Sequence, residues 1–276
     1  MKIQIFDNHL NYSIYGKGTP ILFLHGNGLN KTSMEEVYEP FFSELQQHQR
    51  IYLDLPGMGD SDASEDIQSS DDILEYLTKF IEKKQIANNL ILFGHSYGGY
   101  LCLGIMHQLR EKIKGAYLTC PVVYGETHKR RVENGRTIIE EEFIVEKNKE
   151  YYDDYLEMNT RINRKCWDLY NITIIPGIEK TNQAFMENVQ RQNQKYYKFS
   201  FEDTLTISEQ TQLTIMLGRY DNVVGFEDQF DYFKNFPNAT ISLFSDGGHN
   251  LFIDNFEFNK IYVKNFLDRF KYSIDN

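Results

Sequence analysis

Apolar runs and helical patterns alternate along the first 120 residues of this 276-residue chain. The continuous apolar runs have the character of strands that are covered on both faces, and they fall at 20–24, 50–54, 90–93 and 115–119. The patterns between them predict helices at about 32–47, about 69–84 and 97–110. Strands and helices that alternate in this way predict an α/β fold with a mostly parallel, doubly wound sheet.

Both ends of the chain add further elements to this pattern. Residues 2–6 and 9–15 alternate apolar and polar positions, which predicts a hairpin that turns at Asp7-Asn8. Towards the C-terminus, strands and helices alternate again at 213–217, about 225–235, 240–244 and about 256–270. We therefore expect one sheet built from both ends of the chain.

The middle of the chain differs from both ends. From residue 121 to about 205 there is no convincing apolar strand, and the sequence is polar and rich in Tyr, Glu, Asn and Lys. The pattern indicates several helices, two of them separated by Pro176-Gly177. We expect this segment to be a helical insertion between the two parts of the sheet.

The charge balance and the apolar runs restrict the possible partners. The formal net charge is −11 and the sequence pI is about 5.2, which argues against nucleic acid, because phosphate binding needs a basic face. The N-terminus lacks the unbroken apolar region of a signal peptide, and no apolar run approaches the ~20 residues that span a bilayer. We expect a cytoplasmic protein with a small-molecule partner and no membrane association.

The cysteines indicate neither a disulfide framework nor a metal site. Cys102, Cys120 and Cys166 are an odd and sparse set, and the first two lie in apolar runs typical of buried small side chains. No two of them have the spacing of metal ligands. We therefore expect no metal and no other cofactor.

A serine lies between two glycines where an apolar run gives way to a helical pattern. In "ILFGHSYGGYLCLG" (residues 91–104), an abrupt turn must connect the strand to the helix. Such a turn brings the two backbones close together, so Gly94 and Gly98 are the small residues that it needs. Ser96 would lie at the tip in a strained conformation with its hydroxyl exposed, which points to a chemical role for that hydroxyl.

Two later loops supply the groups that a serine nucleophile needs. Serine requires a base within hydrogen-bond reach and an acid that orients this base. Asp221 follows the strand 213–217, and His249 follows the strand 240–244. Carboxyl ends of parallel strands meet at one edge of a sheet, so we expect both side chains beside Ser96. The order Ser, Asp, His is the order associated with a nucleophile elbow.

A glycine-rich loop completes the predicted site. His25-Gly26-Asn27-Gly28 follows the strand 20–24 and can turn a backbone N–H towards the nucleophile. We expect the N–H groups of Asn27 and Tyr97 to stabilise a tetrahedral oxyanion.

These segments, together with the loop "DLPGMGDSD" at 54–62, resemble the α/β-hydrolase fold superfamily. The resemblance covers nearly the whole chain. It implies a core made of 1–120 and 206–276, with a helical cap, 121–205, inserted after strand six. It also implies the roles of the site residues: Ser96 as nucleophile, His249 as general base and then acid, Asp221 as its orienting acid, and Asn27 and Tyr97 as oxyanion donors.

Two further residues are candidates for contact with the substrate. His25 lies near the predicted site, although support of the turn is the simpler interpretation of its role. Trp167 belongs to the aromatic residues of the cap, some of which must line a pocket over Ser96. For each such residue, packing of an apolar helix face is the competing interpretation.

The sequence predicts a serine hydrolase that cleaves a small soluble carboxylic ester, thioester or lactone through an acyl-enzyme on Ser96. Within the enzymes, the alternatives are a carbon–carbon bond hydrolase and a proline iminopeptidase, for which Glu140-Glu141-Glu142 could hold a substrate amine. Outside the enzymes, the alternative is a ligand-binding receptor that keeps the triad. We expect a monomer or a homodimer, and the sequence does not distinguish between them.

Overall fold

An eight-stranded sheet forms the centre of the structure, a computed structural model that describes residues 1–44, 47–132, 134–187 and 197–270. Its strands are β1 (Lys2–Ile5), β2 (Asn8–Tyr15), β3 (Thr19–Leu24), β4 (His48–Leu53), β5 (Leu90–His95), β6 (Ile113–Thr119), β9 (Gln212–Gly218) and β10 (Ala239–Phe244). They lie in the order β1-β2-β4-β3-β5-β6-β9-β10. Only the pairs β1/β2 and β2/β4 are antiparallel, which confirms the predicted mostly parallel sheet.

Helices connect successive strands and pack against the sheet. Within the described ranges, the α-helices between β3 and β6 are α1 (Thr32–Tyr38), α2 (Ser70–Lys84) and α3 (Tyr97–Leu109). After β9 follow α8 (Glu227–Phe233), α9 (Leu251–Asp254) and α10 (Phe256–Asp268). The Ser69 side chain caps α2 by accepting a hydrogen bond from the N–H of Asp72, which lies in the predicted capping stretch.

Two boundaries differ from the sequence prediction. The helix expected at 32–47 ends at Tyr38 and continues as a 3₁₀ turn over Glu39–Glu44, because Pro40 lacks the N–H that an α-helix needs; residues 45–46 lie outside the described ranges. The N-terminal hairpin turns one residue earlier than predicted, because Asn8 already begins β2. Its side chain donates a hydrogen bond to the hydroxyl of Tyr76 at 2.6 Å.

A row of aromatic side chains runs across one face of the sheet. Tyr52, Phe23, Phe93 and Tyr117 lie on four neighbouring strands in direct register. Their successive ring centroids are 4.2, 4.7 and 5.0 Å apart, and all four side chains are buried. This packing fixes β4, β3, β5 and β6 relative to one another, and two of these strands, β3 and β5, lead into loops of the candidate site.

The segment between β6 and β9 contains short helices. They are α4 (Tyr152–Met158), α5 (Arg164–Thr173), α6 (Ile175–Glu179) and α7 (Gln183–Met186), and a two-residue parallel pair joins β7 (Ile138–Ile139) to β8 (Arg161–Ile162). Two-residue strands are too short to give a periodic signal, so the sequence did not indicate them. Residues 133 and 188–196 of this segment lie outside the described ranges. We retain as a proposal the division into a core, 1–120 and 206–276, and a helical cap, 121–205.

No helix in the described ranges is long and apolar enough to cross a membrane. All three cysteines are buried and free.

Candidate active site

Ser96 lies at the tip of the turn between β5 and α3. Its φ of 52° and ψ of −115° are unfavourable for a residue with a side chain, so the turn is strained as the sequence predicts. A Cβ atom on Gly98 would lie 2.1 Å from the carbonyl oxygen of Leu24, and one on Gly94 would lie 2.7 Å from that of Gly98. The structure therefore confirms that both positions require glycine.

The structure brings Ser96, His249 and Asp221 together although they come from three separate loops. The Nε2 atom of His249 lies 3.0 Å from the Oγ atom of Ser96, and its Nδ1 atom lies 2.9 Å from the Oδ2 atom of Asp221. A carboxylate only accepts hydrogen bonds, so Nδ1 carries the hydrogen and Nε2 is left to accept one from the serine hydroxyl. This is the arrangement in which an imidazole can remove the proton of a serine.

The Asp221 carboxylate is buried and held by main-chain donors. Its Oδ1 atom accepts hydrogen bonds of 2.9 Å from the N–H groups of both Val223 and Val224. Burial acts to raise the pKa of Asp221, but the contact with His249 and these hydrogen bonds outweigh it, so the pKa is lowered. The group therefore stays ionised and able to orient the imidazole.

Two neighbouring side chains remain uncharged. Burial lowers the pKa of His95 well below its ordinary value, and the adjacent His249 lowers it further, so His95 is neutral. The Cys120 thiol is buried beside Asp221, and burial together with this carboxylate raises its pKa well above the ordinary value. Neither group competes with His249 as a base or with Ser96 as a nucleophile.

One group of side chains in the described ranges has potential metal ligands close together. The ligand atoms of Cys120, Asp221 and His249 all lie within 4.8 Å of one another. Two of these groups already bond each other, and the thiol is held protonated, whereas a thiol must lose its proton to bind a metal. The residues therefore fit a hydrogen-bonded triad better than a metal site.

The predicted oxyanion donors lie beside the serine. Tyr97 is the first residue of α3, so its N–H has no carbonyl one turn earlier within the helix. Its ring is buried and its hydroxyl is 2.8 Å from the Oγ atom of Ser70, so only the backbone of Tyr97 can serve the site. Asn27 lies in the wall of the pocket that contains Ser96.

His25 does not lie where a substrate contact would need it. Its side chain is fully buried, and it is not among the described residues that line the pocket. Its Nδ1 atom donates to the carbonyl oxygen of Gly26 at 2.7 Å, and its Nε2 atom accepts from the N–H of Leu55 at 3.0 Å. Because both ring nitrogens hold the backbone of two loops, we withdraw the substrate-binding assignment of His25.

Trp167 also lies away from the pocket surface. Its side chain is 3% exposed and packs among aromatic rings of the segment 121–205. The ring stacks on Tyr170 at 5.7 Å and meets Tyr155 edge-on at 5.2 Å. Packing, which was the competing interpretation, explains this residue, and we withdraw its substrate-binding assignment.

The pocket over Ser96 is small and mostly apolar. Its volume is about 360 Å³. Five apolar side chains contribute to its wall: Leu29, Met158, Ile174, Ile178 and Val223. Three of them belong to the segment 121–205, so this segment shapes the space in front of the serine.

Two acids near the site escaped the sequence analysis. Asp154 lies in the pocket wall. Asp254 is buried, and burial raises its pKa to about 6. Its carboxylate accepts hydrogen bonds from the N–H groups of Gly248 at 2.8 Å and Thr160 at 3.0 Å. Neither acid stands in a recognisable motif; the fold brings Asp154 to the pocket, and Asp254 follows His249 by five residues.

With the fold and this geometry established, comparison with known proteins gives the family. Residues 19–256 match the sequence model of the alpha/beta hydrolase fold family. The match spans most of the chain, and the protein therefore belongs to this family.

Three relatives show the extent of the similarity. An alpha/beta superfamily hydrolase from Oenococcus oeni PSU-1 is 42% identical, with a TM-score of 0.89 over 94% of this chain and 95% of that one. A Mycoplasma genitalium protein named "Putative esterase/lipase 2" is 26% identical over 98% of this chain and 97% of its own length. A meta-cleavage product hydrolase from Pseudomonas fluorescens IP01 is 19% identical, with a TM-score of 0.69 over 98% and 97% of the two chains, and shows likeness of fold alone.

Proposed function

We propose that this protein is a serine esterase that cleaves a small carboxylic ester, thioester or lactone through an acyl-enzyme on Ser96. One observation carries the proposal: a strained serine hydroxyl lies 3.0 Å from an imidazole nitrogen whose other nitrogen bonds a buried carboxylate. This combination supplies a nucleophile, its base and the group that orients the base.

In the first half of the reaction, the Oγ atom of Ser96 attacks the acyl carbon while the Nε2 atom of His249 takes its proton. The carbonyl oxygen then carries the negative charge of a tetrahedral intermediate. His249, now protonated and facing Asp221, gives its proton to the departing alcohol, thiol or ring oxygen. The products are the acyl-enzyme and the first leaving group.

In the second half, water replaces the alcohol. His249 removes a proton from water as it attacks the acyl-enzyme, and the same proton returns to Ser96 when the acid departs. We assign the N–H groups of Tyr97 and Asn27 to the oxyanion of both intermediates. Loss of one such donor typically lowers the rate by ~10²–10³.

Two observations support a small ester as the substrate. The pocket of about 360 Å³ fits a short acyl group and a small alcohol but not a bulk lipid. The name of the Mycoplasma genitalium relative points to the esterases and lipases.

The test is hydrolysis of a panel of nitrophenyl esters with increasing acyl length. We expect wild type to cleave the short members, and Ser96→Ala and His249→Ala to lose at least ~10³ of kcat. Ser43→Ala, which changes an exposed serine away from the site, is the matched control and should retain full activity. Equal activity of Ser96→Ala and Ser43→Ala would contradict the proposal.

The alternatives have less support than the esterase. A carbon–carbon bond hydrolase that acts on a diketone-like acid would need a cation for the acid, and the described residues of the pocket wall include no lysine or arginine. A proline iminopeptidase would need an acid for the substrate amine. Glu140 pairs instead with Arg161 at 2.8 Å, whereas Asp154 lies in the pocket wall, so proline peptide substrates belong in the same panel. A receptor that keeps the triad would hydrolyse none of the esters in the panel.

A further inference from the structure

The pocket over Ser96 contains one acid from the segment 121–205. Among the described residues that line the pocket, Asp154 is the only acid, and none is a lysine or an arginine. Asp154 belongs to the first turn of α4, and the rest of the wall combines apolar side chains with polar ones that are neither acids nor lysine or arginine. A substrate bound at Ser96 therefore shares a small space with a single carboxylate.

A buried tyrosine orients this carboxylate. The hydroxyl of Tyr170 donates a hydrogen bond to the Oδ2 atom of Asp154. Tyr170 is fully buried, and burial together with the Asp154 contact raises the pKa of its hydroxyl, which therefore remains a donor. Within the described part of the chain, we find no donor to the Oδ1 atom, which is left to accept a hydrogen bond from a ligand.

The charge of the whole chain acts in the same direction. The formal net charge is −11, so the surrounding field attracts cations and repels anions. Low-dielectric walls strengthen the interaction of a carboxylate with a charged ligand, although Asp154 itself is exposed and partly screened by water. We therefore compare its contribution with an ion pair at the protein surface, about fivefold in binding or rate.

We propose that the enzyme prefers esters that carry an ammonium group, on the acyl or the alcohol part, and that Asp154 determines this preference. The inference rests on the proposed function, in which Ser96 attacks the ester carbonyl. To that function the inference adds the chemical class of the substrate and the residue that selects this class.

The test uses two pairs of esters that differ mainly in charge. In the acyl pair, methyl 6-aminohexanoate is compared with methyl heptanoate. In the alcohol pair, protonated 2-(dimethylamino)ethyl acetate is compared with 3-methylbutyl acetate. The measured quantity is the ratio of kcat/KM for the cationic ester to that for its neutral partner, which is independent of the amount of folded enzyme.

We expect wild type to give a ratio above one for at least one pair, and Asp154→Asn to lower that ratio about fivefold. The matched control is Asp153→Asn, which removes the same charge from the adjacent, exposed position of α4, outside the described lining of the pocket. This control should leave the ratio unchanged. In wild type, the ratio should also fall as the salt concentration rises, which tests the inference without any variant.

Two results would overturn the inference while leaving the proposed function intact. One is a wild-type ratio of one or less for both pairs, with the neutral esters still hydrolysed. The other is a preference that Asp154→Asn and Asp153→Asn change equally. Failure to hydrolyse any of the four esters would instead count against the proposed function, and against this inference with it.

Discussion

The Asp254 carboxylate accepts a hydrogen bond of 2.8 Å from the N–H of Gly248, the residue that precedes His249. The same buried carboxylate accepts main-chain hydrogen bonds from Thr160 at 3.0 Å and Arg161 at 3.3 Å. The Asn159 side chain donates to it as well, also at 3.0 Å. One acid thus joins the loop that carries His249 to the segment that we propose as the cap.

We expect Asp254→Asn to lower the free energy of unfolding by about 3 kcal/mol at neutral pH, because the new amide NH₂ would face N–H donors and leave buried groups without acceptors. Urea denaturation measures this change. Asp246→Asn is the control, since that acid is 41% exposed and bonds the Asn255 side chain at 3.1 Å. Equal, small losses in both variants would contradict the role of Asp254.

The stability of the protein should also depend on pH through Asp254. Its pKa is raised from 3.8 to about 6 by burial, so between these values the folded protein holds a proton that the unfolded chain has lost. The contribution of this group to stability therefore falls as the pH rises through this window and is constant above it. We expect the difference in unfolding free energy between wild type and Asp254→Asn to be about 2 kcal/mol larger at pH ~4.5 than at pH ~7.5. Urea denaturation at both pH values checks this. A smaller difference at the lower pH would contradict a pKa of Asp254 that is raised in the folded protein.

The turn at Ser96 should not tolerate a methyl group at Gly98. A Cβ atom there would lie 2.1 Å from the carbonyl oxygen of Leu24 and 2.6 Å from that of His25, and backbone atoms cannot move aside as the end of a side chain can. We expect Gly98→Ala to lower the free energy of unfolding by about 3 kcal/mol or to prevent folding, and to reduce kcat at least ~10²-fold. Gly135→Ala is the control, because its nearest neighbour is the Asn222 side chain at 3.2 Å. Denaturation and ester kinetics that show no difference between the two variants would contradict the strained turn.

Asp221 should act through the tautomer of His249. Asp221→Asn would place an amide where the carboxylate accepts from Nδ1 at 2.9 Å, which favours the hydrogen on Nε2 and leaves Ser96 without a base. We expect kcat to fall by ~10³–10⁴ while KM changes little. Steady-state kinetics of the preferred nitrophenyl ester measure both constants. A loss smaller than tenfold would mean that another group orients the imidazole.

The sequence predicted best those features that depend on local pattern. Strand and helix periodicity predicted the parallel sheet, and glycine spacing predicted the turn at Ser96. The loops after β9 and β10 could be predicted to carry Asp221 and His249 towards it, because parallel strands end at one edge of the sheet.

Features that depend on packing between distant segments could not be predicted in this way. Trp167 is a large aromatic residue of the kind that often lines a pocket, but its neighbours within the segment 121–205 bury it. Nothing in the sequence indicates that Asp154 faces the pocket or that Asp254 bonds the backbone of Thr160, since both contacts depend on how the segment 121–205 lies over the sheet.

The most direct test of the central claim is covalent labelling of the serine. A fluorophosphonate probe reacts with a serine that an adjacent imidazole activates, and mass spectrometry of the digested protein locates the adduct. We predict one adduct on the peptide that contains Ser96, absent from Ser96→Ala, strongly reduced in His249→Ala and unchanged in Ser43→Ala. A wild-type protein that remains unlabelled, or that is labelled equally after Ser96→Ala, would contradict the account.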